Sequence, residues 1–476
     1  MELKSQENLL TNSICCWENV LRLSSKSEPN IFFLVIDSFR NDKLFPKDKT
    51  SKTKNLESLI SKGTYYSNTF SSSDGTLLSW ASIFTGLFPF KTGVTLSNKH
   101  KLSKNITNYI KLLKKNGYHA YASIPDISFL YPLTEEFDNA DKFHDYYFEL
   151  SNGLGEKIVK KLNSNSLQEP WIFFIHINDL HLPNWPSKDF DNELFGTSRY
   201  ERTISQIDFW IGKFLEKIDL EKTLVIITSD HGDYVPFVNT EKETIDLEPH
   251  RMEKTLREIG KKFPTALRKK IASSLAKTVK TRHESKIQSL DLTPYYKRQL
   301  LHTRASPNHY LFDELMHVPL IFSGAGFVHS SPLKTLTRTI DIFPTIIDFI
   351  GLKNPPNIDG QSLLSLANNE SFEEQPVFMQ RDVIISQLEH DVEGIRTSKY
   401  KYFRSVSNPS DKIHLYDVKE DPLEEHNISE NNPKLVEEME EILQKIKNVP
   451  SNDSSTELSP EYEEKVKDEL RKLGYI

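Results

Sequence analysis

The sequence predicts an α/β protein in which a mostly parallel β-sheet lies between layers of helices. Three apolar runs carry this prediction: Ile31–Ile36, Trp171–Ile177 and Leu224–Ile227. Uninterrupted runs of this length are typical of strands that are buried on both faces, as in a parallel sheet under helices. The first run stops at Asp37 and the third leads into the sequence TSDHGD, so both predicted strands end at polar side chains.

Helical segments alternate with these strands. The segment NLESLISK at 55–62 is followed by Gly63, a residue type that is common just after a helix. Residues 199–218 carry apolar side chains at helical spacing and lead into the strand before TSDHGD. The aromatic and β-branched run TYYSNTF at 64–70 predicts one further strand. This alternation indicates a mostly parallel sheet that is covered on both sides.

The chain is long enough for one large domain with smaller appendages. It has 476 residues, of which 37% are hydrophobic. We predict an N-terminal arm at 1–29, a main domain at 30–375, and a smaller C-terminal α+β subdomain with a charged helical tail at 376–476. Within the main domain, residues 234–300 are rich in Lys and Arg and predict a basic helical insertion. This insertion is either a solvated helical excursion or a lid whose cations attract an anionic substrate.

Composition excludes some functions and suggests a compartment. A net charge of -7 argues against nucleic-acid binding. The only cysteines, Cys15 and Cys16, are adjacent, so they provide neither a disulfide framework nor zinc-ligand spacing. No apolar run approaches the roughly 18 residues of a membrane span, and the first residues do not resemble a signal peptide. These features together predict a cytoplasmic protein without a transmembrane segment.

Three candidate metal ligands follow the predicted strands. Asp37 comes after the first apolar run, and Asp230 and His231 come after the third. A strand can simply end at a polar loop, but open α/β sheets place their ligands at the carboxyl ends of their strands. We therefore expect these side chains to meet at one site.

Several motifs, in order along the chain, resemble the sulfatase family of the alkaline phosphatase superfamily. PNIFFLVIDSFRND resembles the opening strand of that family, and TLVIITSDHGD resembles its second metal-binding strand. LFDELMHVPLIFSGAG, TIDIFPTIIDFIGL and NIDGQSLL are similar to its central signatures, and GIRTSKYKYF with HLYDVKEDPLEEHNI resembles its C-terminal subdomain. The resemblance spans about residues 30 to 430 and implies an alkaline-phosphatase-like fold with a metal-dependent ester hydrolase or transferase site.

The chain departs from the family pattern at TLLSWASIFTG, residues 76–86. Sulfatases have Cys or Ser there, followed by Pro, Ser and Arg, and convert the first residue to formylglycine. Alignment on the Thr-Gly at 85–86 places Thr76 at the nucleophile position and Ser79 at the motif serine, with Leu78 and Trp80 in place of Pro and Arg. Ser79 is the alternative nucleophile, but it lies too close to the Thr-Gly pair. Threonine at this position resembles the phosphoryl transferases and nucleotide phosphodiesterases of the superfamily.

The resemblance implies one divalent metal ion. Asp37, Asp230, His231 and the hydroxyl of Thr76 would supply three oxygens and one nitrogen, a set that favours zinc or manganese over calcium or magnesium. Ser38 stands where sulfatases usually have a second acid, which removes one ligand and disfavours calcium further. A bound metal would lower the pKa of the Thr76 hydroxyl for nucleophilic attack.

Histidines supply the remaining candidate site residues. His181, in the context HLP, corresponds to a family histidine that acts on the substrate as an anion donor or general acid; the alternative is a hydrogen-bonded loop histidine. His309 falls near a family residue that contacts the anion, and spacing does not separate it from His302. His317 is interpreted as structural.

The loop after the first strand also contains predicted supporting residues. Arg40 and Asp42 are predicted to brace the loop after Asp37. Asp233 is a candidate for orienting His231.

The residues leave three functions open. A threonine ester cannot collapse to an aldehyde as formylglycine does, so we expect a phosphodiester, phosphomonoester or phosphonate substrate and a covalent Thr76 intermediate. The first alternative is a sulfatase acting on a sulfated saccharide or small molecule. The second is an inactive metal-binding relative that serves as a binding module. In each case the ligand expected is a small molecule, or a saccharide or lipid head group, with an anionic ester.

Overall fold

The computed structural model describes residues 28–46, 49–95, 101–164, 166–240, 243–247, 284–285, 287–302, 310–328, 332–382 and 391–448. Most of the predicted arm, the stretch 248–283 of the predicted basic insertion, His309 and the tail beyond residue 448 lie outside these residues.

The strands, in chain order, are β1 Asn30–Ile36, β2 Thr64–Tyr65, β3 Thr69–Phe70, β4 His119–Pro125, β5 Phe143–His144, β6 Trp171–Ile177, β7 Thr223–Thr228, β8 Phe237–Asn239, β9 Thr244–Asp246, β10 His317–Val318, β11 Leu320–Ser323, β12 Thr337–Arg338, β13 Val377–Gln380, β14 Val392–Arg396, β15 Tyr400–Ser405 and β16 His414–Asp417. The α-helices are α1 Lys54–Lys62, α2 Thr76–Thr85, α3 Tyr109–Lys115, α4 Leu154–Leu162, α5 Arg199–Leu215, α6 Pro294–Leu301, α7 Asp313–Met316, α8 Ile342–Phe349, α9 Leu364–Ala367 and α10 Pro433–Lys447.

The central sheet has seven strands in the order β2-β11-β7-β1-β6-β4-β5. Strands β7, β1, β6, β4 and β5 are parallel, and β11 and β2 extend the sheet with antiparallel pairs. The predicted α/β class with a mostly parallel sheet is therefore confirmed.

Strand β1 is buried on both faces, as its unbroken apolar run predicts. Ile31, Phe33 and Val35 belong to one hydrophobic core, which also contains residues of α2, α3 and α8. Phe32 and Ile36 alternate with them and belong to a second core on the opposite face, with residues of α1, α4 and α5. The period of two along the strand thus separates the two layers of helices.

The strand register places the ends of β1 and β7 side by side. Val35 pairs with Thr228 of β7 and also with His176 of β6. Asp37 and Asp230 each follow two residues after this level, so both carboxylates arrive at the same edge of the sheet. This edge is the carboxyl end of the parallel strands, where open α/β sheets bind ligands.

Two local predictions differ from the structure. The run 64–70 forms two short strands in different sheets, because the chain turns after β2 and β3 pairs with β10 and β12. The predicted helical insertion begins instead with the two-stranded hairpin β8–β9 and, within the described residues, ends in α6.

The C-terminal subdomain is a four-stranded antiparallel sheet in the order β13-β14-β15-β16, with α10 packed on it. Met439 and Leu443 of α10 lie in one core with Phe378, Ile395 and Leu415 of the sheet. The predicted smaller α+β subdomain is confirmed. Among the described residues, no helix has the length and apolar character needed to cross a bilayer.

Candidate active site

Asp37, Asp230 and His231 converge at the carboxyl ends of β1 and β7. Nε2 of His231 lies 3.5 Å from Oδ2 of Asp230 and 3.7 Å from Oδ1 of Asp37. All three residues are buried. The structure brings these three side chains together at one edge of the sheet, and their role as metal ligands stays a prediction.

The orientation of His231 suits a metal ligand. Its Nδ1 lies 2.9 Å from the carbonyl oxygen of Gly232, which can only accept a hydrogen bond. Nδ1 therefore carries a proton, and Nε2 faces the two carboxylates, where it can bind either a proton or a cation. The backbone of Gly232, and not the side chain of Asp233, accepts this bond; the Asp233 carboxylate accepts the backbone N–H of Tyr234 at 2.8 Å.

Thr76 is the first residue of α2, and its hydroxyl points at the same cluster. Its Oγ1 lies 3.4 Å from Nε2 of His231. Every other residue of α2 is buried, whereas Thr76 retains partial exposure, so its hydroxyl alone in this helix is open to a substrate. Ser79, the alternative nucleophile, instead bonds to the carbonyl oxygen of Ser73 at 3.1 Å and to the hydroxyl of Ser71 at 3.0 Å. The geometry favours Thr76 over Ser79.

The donor set fits a divalent cation. Oδ2 of Asp230 is buried without a hydrogen-bond partner among the described residues, a costly state for a carboxylate oxygen unless a cation completes it. Burial alone would raise the pKa of Asp37, but a hydrogen bond from His176 and the neighbouring imidazoles of His231 and His181 hold it well below its usual range. The carboxylate of Asp37 is therefore available as an ionised ligand beside the imidazole nitrogen.

Ser38 takes part in the site in a different way from a second acid. Its hydroxyl donates a hydrogen bond of 2.7 Å to Oδ1 of Asp37. The residue has a φ of 63°, a left-handed conformation that is strained for a side chain other than glycine. The turn after β1 thus bends to bring the hydroxyl against the carboxylate.

Sequence reasoning missed His176 and its contact with Trp80. His176 is the one polar residue in the otherwise apolar strand WIFFIHI, and this interruption was the available signal. One ligand atom each of Asp37, His176 and Asp230 lies within 4.8 Å of the other two. The indole of Trp80, in the position of the family arginine, bonds to His176 at 3.1 Å.

Two of the predicted substrate histidines, His181 and His302, lie among the described residues. His181 follows β6 and is close enough to Asp37 to lower the pKa of the Asp37 carboxyl. Nδ1 of His181 lies 3.1 Å from the carbonyl oxygen of Leu182. The ring of His302 packs edge-to-face on Tyr234, with centroids 5.6 Å apart. His309 lies outside the described residues, so its role and the substrate role of His302 stay predictions.

The structure gives structural roles to the remaining polar candidates. Nε and Nη2 of Arg40 each donate a hydrogen bond of 2.8 Å to the carboxylate of Asp42, and this pair of bonds braces the loop after β1. Arg40 also reaches Gln299 and Tyr295 of α6, so the brace ties the loop after β1 to the end of the insertion. His317 stacks on Phe70 at 4.6 Å, and burial lowers its pKa.

Comparison with known proteins identifies the family. The family model described as sulfatase matches residues 29–352. A second model, described as N-sulphoglucosamine sulphohydrolase, C-terminal, matches residues 307–450. Together the two models cover both the central-sheet domain and the C-terminal subdomain.

Relatives and solved structures agree with this match. Arylsulfatase K from Mus musculus is 22% identical over 469 residues, which cover 91% of this chain and 82% of the relative. The phosphonate monoester hydrolase of Agrobacterium radiobacter superposes with a TM-score of 0.60 at 15% identity, over 88% of this chain and 95% of that one. A protein solved with its substrate D-glucosamine-2-N,6-O-disulfate gives a TM-score of 0.59 at 17% identity, over 90% and 100%.

These relatives correct one prediction and weaken another. The predicted cytoplasmic location is wrong, because it is contradicted by the likeness to Arylsulfatase K along nearly the whole chain. The scarcity of cysteine was a poor guide, since a core of this size is stable without disulfides in any compartment. The preference for a phosphate group is not supported by the matched models, whereas the sulfatase alternative is. The chain belongs to the sulfatase family.

Proposed function

We propose that the protein is a metal-dependent hydrolase of sulfate esters on a small saccharide, with Thr76 as its nucleophile. The observation that carries this proposal is the approach of the Thr76 hydroxyl to 3.4 Å from the imidazole between two buried carboxylates. The saccharide class is suggested by the relative that was solved with a disulfated glucosamine.

Four side chains would hold the cation: Asp37, Asp230, His231 and Thr76. When bound, a divalent cation there would lower the pKa of the Thr76 hydroxyl and neutralise charge on the ester group. The start of α2 adds to this, because the amino end of a helix carries partial positive charge that favours an anion.

Thr76 and His181 can carry out the hydrolysis of a sulfate ester in two successive displacements at sulfur. The ionised Oγ1 of Thr76 attacks sulfur, the bond from sulfur to the sugar oxygen breaks, and the departing oxygen takes a proton from protonated His181. Water then attacks the sulfur of the threonine sulfate and gives a proton to His181, and Oγ1 of Thr76 leaves with the bonding electron pair. The products are the free sugar hydroxyl and inorganic sulfate.

His181 suits this proton transfer. Its Nδ1 lies 3.1 Å from the carbonyl oxygen of Leu182, and its half-buried ring borders Tyr146 at 6.0 Å between centroids. A histidine can donate and then accept a proton near neutral pH because its ordinary pKa is about 6.5.

A phosphoryl substrate is the second candidate. It is favoured by the threonine itself, since a threonine ester must be opened by a second displacement, and phosphorus undergoes such displacements readily. The structural likeness to a phosphonate monoester hydrolase points the same way.

Kinetics with matched aryl esters separate these candidates. We expect the purified protein with Mn²⁺ to hydrolyse p-nitrophenyl sulfate faster than bis(p-nitrophenyl) phosphate or p-nitrophenyl phenylphosphonate. Thr76→Val removes the hydroxyl while keeping the side-chain shape, and should lower kcat by about three orders of magnitude or more. Thr76→Ser keeps the hydroxyl and should retain turnover within about tenfold.

Each contrary result has a definite meaning. Faster turnover of a phosphorus ester would replace the sulfate assignment by the second candidate. Full activity in Thr76→Val would exclude the covalent mechanism. Binding of Mn²⁺ without turnover of any ester would favour the inactive binding module.

A further inference from the structure

We propose that Trp80 and His176 form a hydrogen-bonded chain that positions Asp37, and that His176 is a donor to Asp37 and not a ligand of the metal. The inference rests on the metal site of the proposed function. It concerns a different question, namely which groups set the geometry of that site.

The indole of Trp80 decides the protonation of His176. Its Nε1 lies 3.1 Å from Nδ1 of His176, and both side chains are essentially fully buried. An indole N–H can only donate, so Nδ1 of His176 must accept and carries no proton. The neutral ring then carries its proton on Nε2, which lies 3.4 Å from Oδ2 of Asp37.

The two histidines of the cluster therefore have opposite roles. Nδ1 of His231 donates to a carbonyl oxygen, so its Nε2 can bind a cation in place of a proton. Nε2 of His176 has no free lone pair while Trp80 donates to Nδ1. Proximity alone groups His176 with Asp37 and Asp230, but only His231 has the tautomer that a metal ligand needs.

Aromatic packing holds the ring of His176 in this orientation. The centroids of Trp80 and His176 are 5.0 Å apart with an interplanar angle of 62°. Phe174, two residues before His176 on β6, packs edge-to-face on Trp80 at 5.1 Å. The histidine can rotate only by disturbing a close-packed core.

The chain of bonds also links the nucleophile to the ligand. Trp80 follows Thr76 by four residues on α2, so both side chains lie on one face of the helix. Thr76 points at His231 while Trp80, one turn later, holds His176 and through it Asp37. The hydroxyl of Ser38 fixes the other oxygen of Asp37. The indole thus sets the distance between the nucleophile helix and the carboxylate.

The affinity for Mn²⁺ tests the proposal, because the two roles of His176 predict opposite changes in affinity when Trp80 is replaced. Titration calorimetry of the full chain with MnCl₂ should show that Trp80→Phe weakens binding by about 10–100-fold, the range for lost groups that orient metal ligands. If His176 were a ligand, loss of the indole donor would free Nδ1 to carry the proton and would strengthen binding. Stronger or unchanged binding in Trp80→Phe overturns the proposal.

Trp210→Phe is the matched control. Trp210 also donates an indole hydrogen bond, to the hydroxyl of Ser151 at 3.3 Å, but it lies on α5 in the hydrophobic core on the opposite face of the sheet from Trp80. This variant should bind Mn²⁺ as the wild type does. A comparable loss of affinity in Trp210→Phe would show that the effect reflects general destabilisation and would overturn the specific role of Trp80.

A second measurement needs neither metal nor turnover. In metal-free protein labelled with ¹⁵N-tryptophan, the indole signal that disappears in Trp80→Phe belongs to Trp80. In His176→Leu the resonance of the Trp80 indole proton should shift upfield, because the hydrogen-bond acceptor of the indole is lost. An unmoved signal would show that His176 does not accept this bond. Failure of the wild type to bind Mn²⁺ would instead sink the metal site of the proposed function, and the indole result would still decide the tautomer.

Discussion

The carboxylate of Asp230 is fully buried, and its Oδ2 has no hydrogen-bond partner among the residues that the structure describes. One carboxylate oxygen of Asp37 and one of Asp230 lie within 4.8 Å of each other. Two buried carboxylates at this distance repel each other, and a bound cation would relieve this repulsion. At the scale of the residue, the site is therefore arranged for binding at the expense of the stability of the metal-free protein.

Asp230→Asn tests this arrangement. The amide retains an acceptor for the backbone N–H of His231, now 3.0 Å from Oδ1, but removes one negative charge. In the presence of EDTA the variant should melt at a higher temperature than the wild type. With Mn²⁺ at about one hundred times its Kd, the wild type should gain about 2.7 kcal/mol and the variant very little.

Thermal melting with and without Mn²⁺ provides the measurement. Equal metal-induced shifts in the two proteins would show that Asp230 is not a ligand. A lower melting temperature of the variant in EDTA would show that its charge does not oppose folding.

At the scale of the element, the helix that carries Thr76 is held at its start by the C-terminal subdomain. Oδ2 of Asp382, just after β13, accepts the backbone N–H of Leu78 at 3.0 Å. The backbone N–H of Asp382 donates to Asp74 at 2.7 Å, in the loop before α2. Carboxylates that accept backbone N–H groups at a helix start stabilise the helix and fix its position.

Asp382→Ala should therefore lower both stability and turnover. The lost hydrogen bond should cost about 1–2 kcal/mol of unfolding free energy. The shift of the first turn of α2 should also lower kcat, because Thr76 is its first residue. Chemical denaturation and steady-state kinetics on the aryl ester measure the two effects.

Asp208→Ala is the control, since Asp208 on α5 holds the start of α1 in the same manner. Its carboxylate accepts the backbone N–H groups of Asn55 and Leu56 at 3.1 and 2.8 Å. This variant should lose a similar amount of stability and keep its kcat. Equal loss of kcat in both variants would contradict a special role for the start of α2.

At the scale of the whole molecule, a buried ionic cluster joins the C-terminal sheet to the central domain. Lys401 of β15 is fully buried and lies 2.7 Å from Asp313, at the start of α7, and 2.8 Å from Glu424. The Glu424 carboxylate also accepts the backbone N–H of Asp313 at 2.7 Å. Separating the C-terminal sheet from the central domain would leave a buried charge without its partner. We therefore expect the sheet and the central domain to unfold together.

The cluster makes stability depend on pH. Burial raises the pKa of Glu424 to about 7, against the opposing charge of Lys401, while the ordinary value is 4.5. Between these values the folded protein keeps a proton that the unfolded chain releases. The contribution of Glu424 to the free energy of unfolding is therefore fully present below about pH 4.5 and is lost as the pH rises through 7.

Glu424→Gln should flatten this fall. Its free energy of unfolding, relative to the wild type, should increase by about 1–3 kcal/mol between pH 5 and pH 8, since each pKa unit corresponds to about 1.4 kcal/mol. Urea denaturation across this range is the measurement. Parallel pH profiles of the two proteins would contradict the raised pKa.

The predicted part of the fold came from long, unambiguous patterns. The unbroken apolar runs of β1, β6 and β7 indicated buried parallel strands, and their polar ends indicated Asp37, Asp230 and His231. Short segments were predicted less well. Residues 64–70 look like one strand, because β propensity does not show that the chain turns between β2 and β3 and changes sheets.

The site shows the same division. Thr76 was predicted from the resemblance to the family motif, aligned on the Thr-Gly pair, and in the structure its hydroxyl lies 3.4 Å from Nε2 of His231. His176 was missed because an isolated polar residue in a buried strand has no recognisable partner in sequence: Trp80 lies 96 positions away. His181 and Asp37 likewise come close to each other only because β6 and β1, the strands that precede them, are neighbours in the sheet.

The class of the fold, the order of its motifs and the residue types that end the central strands follow from the sequence alone, because they depend on local periodicity and spacing. The three-dimensional structure is needed to show which of two nearby histidines can bind a cation, and which subdomain holds the nucleophile helix. Tautomers and helix positions are set by hydrogen-bond partners from distant parts of the chain. Those partners become neighbours only when the strands adopt their register.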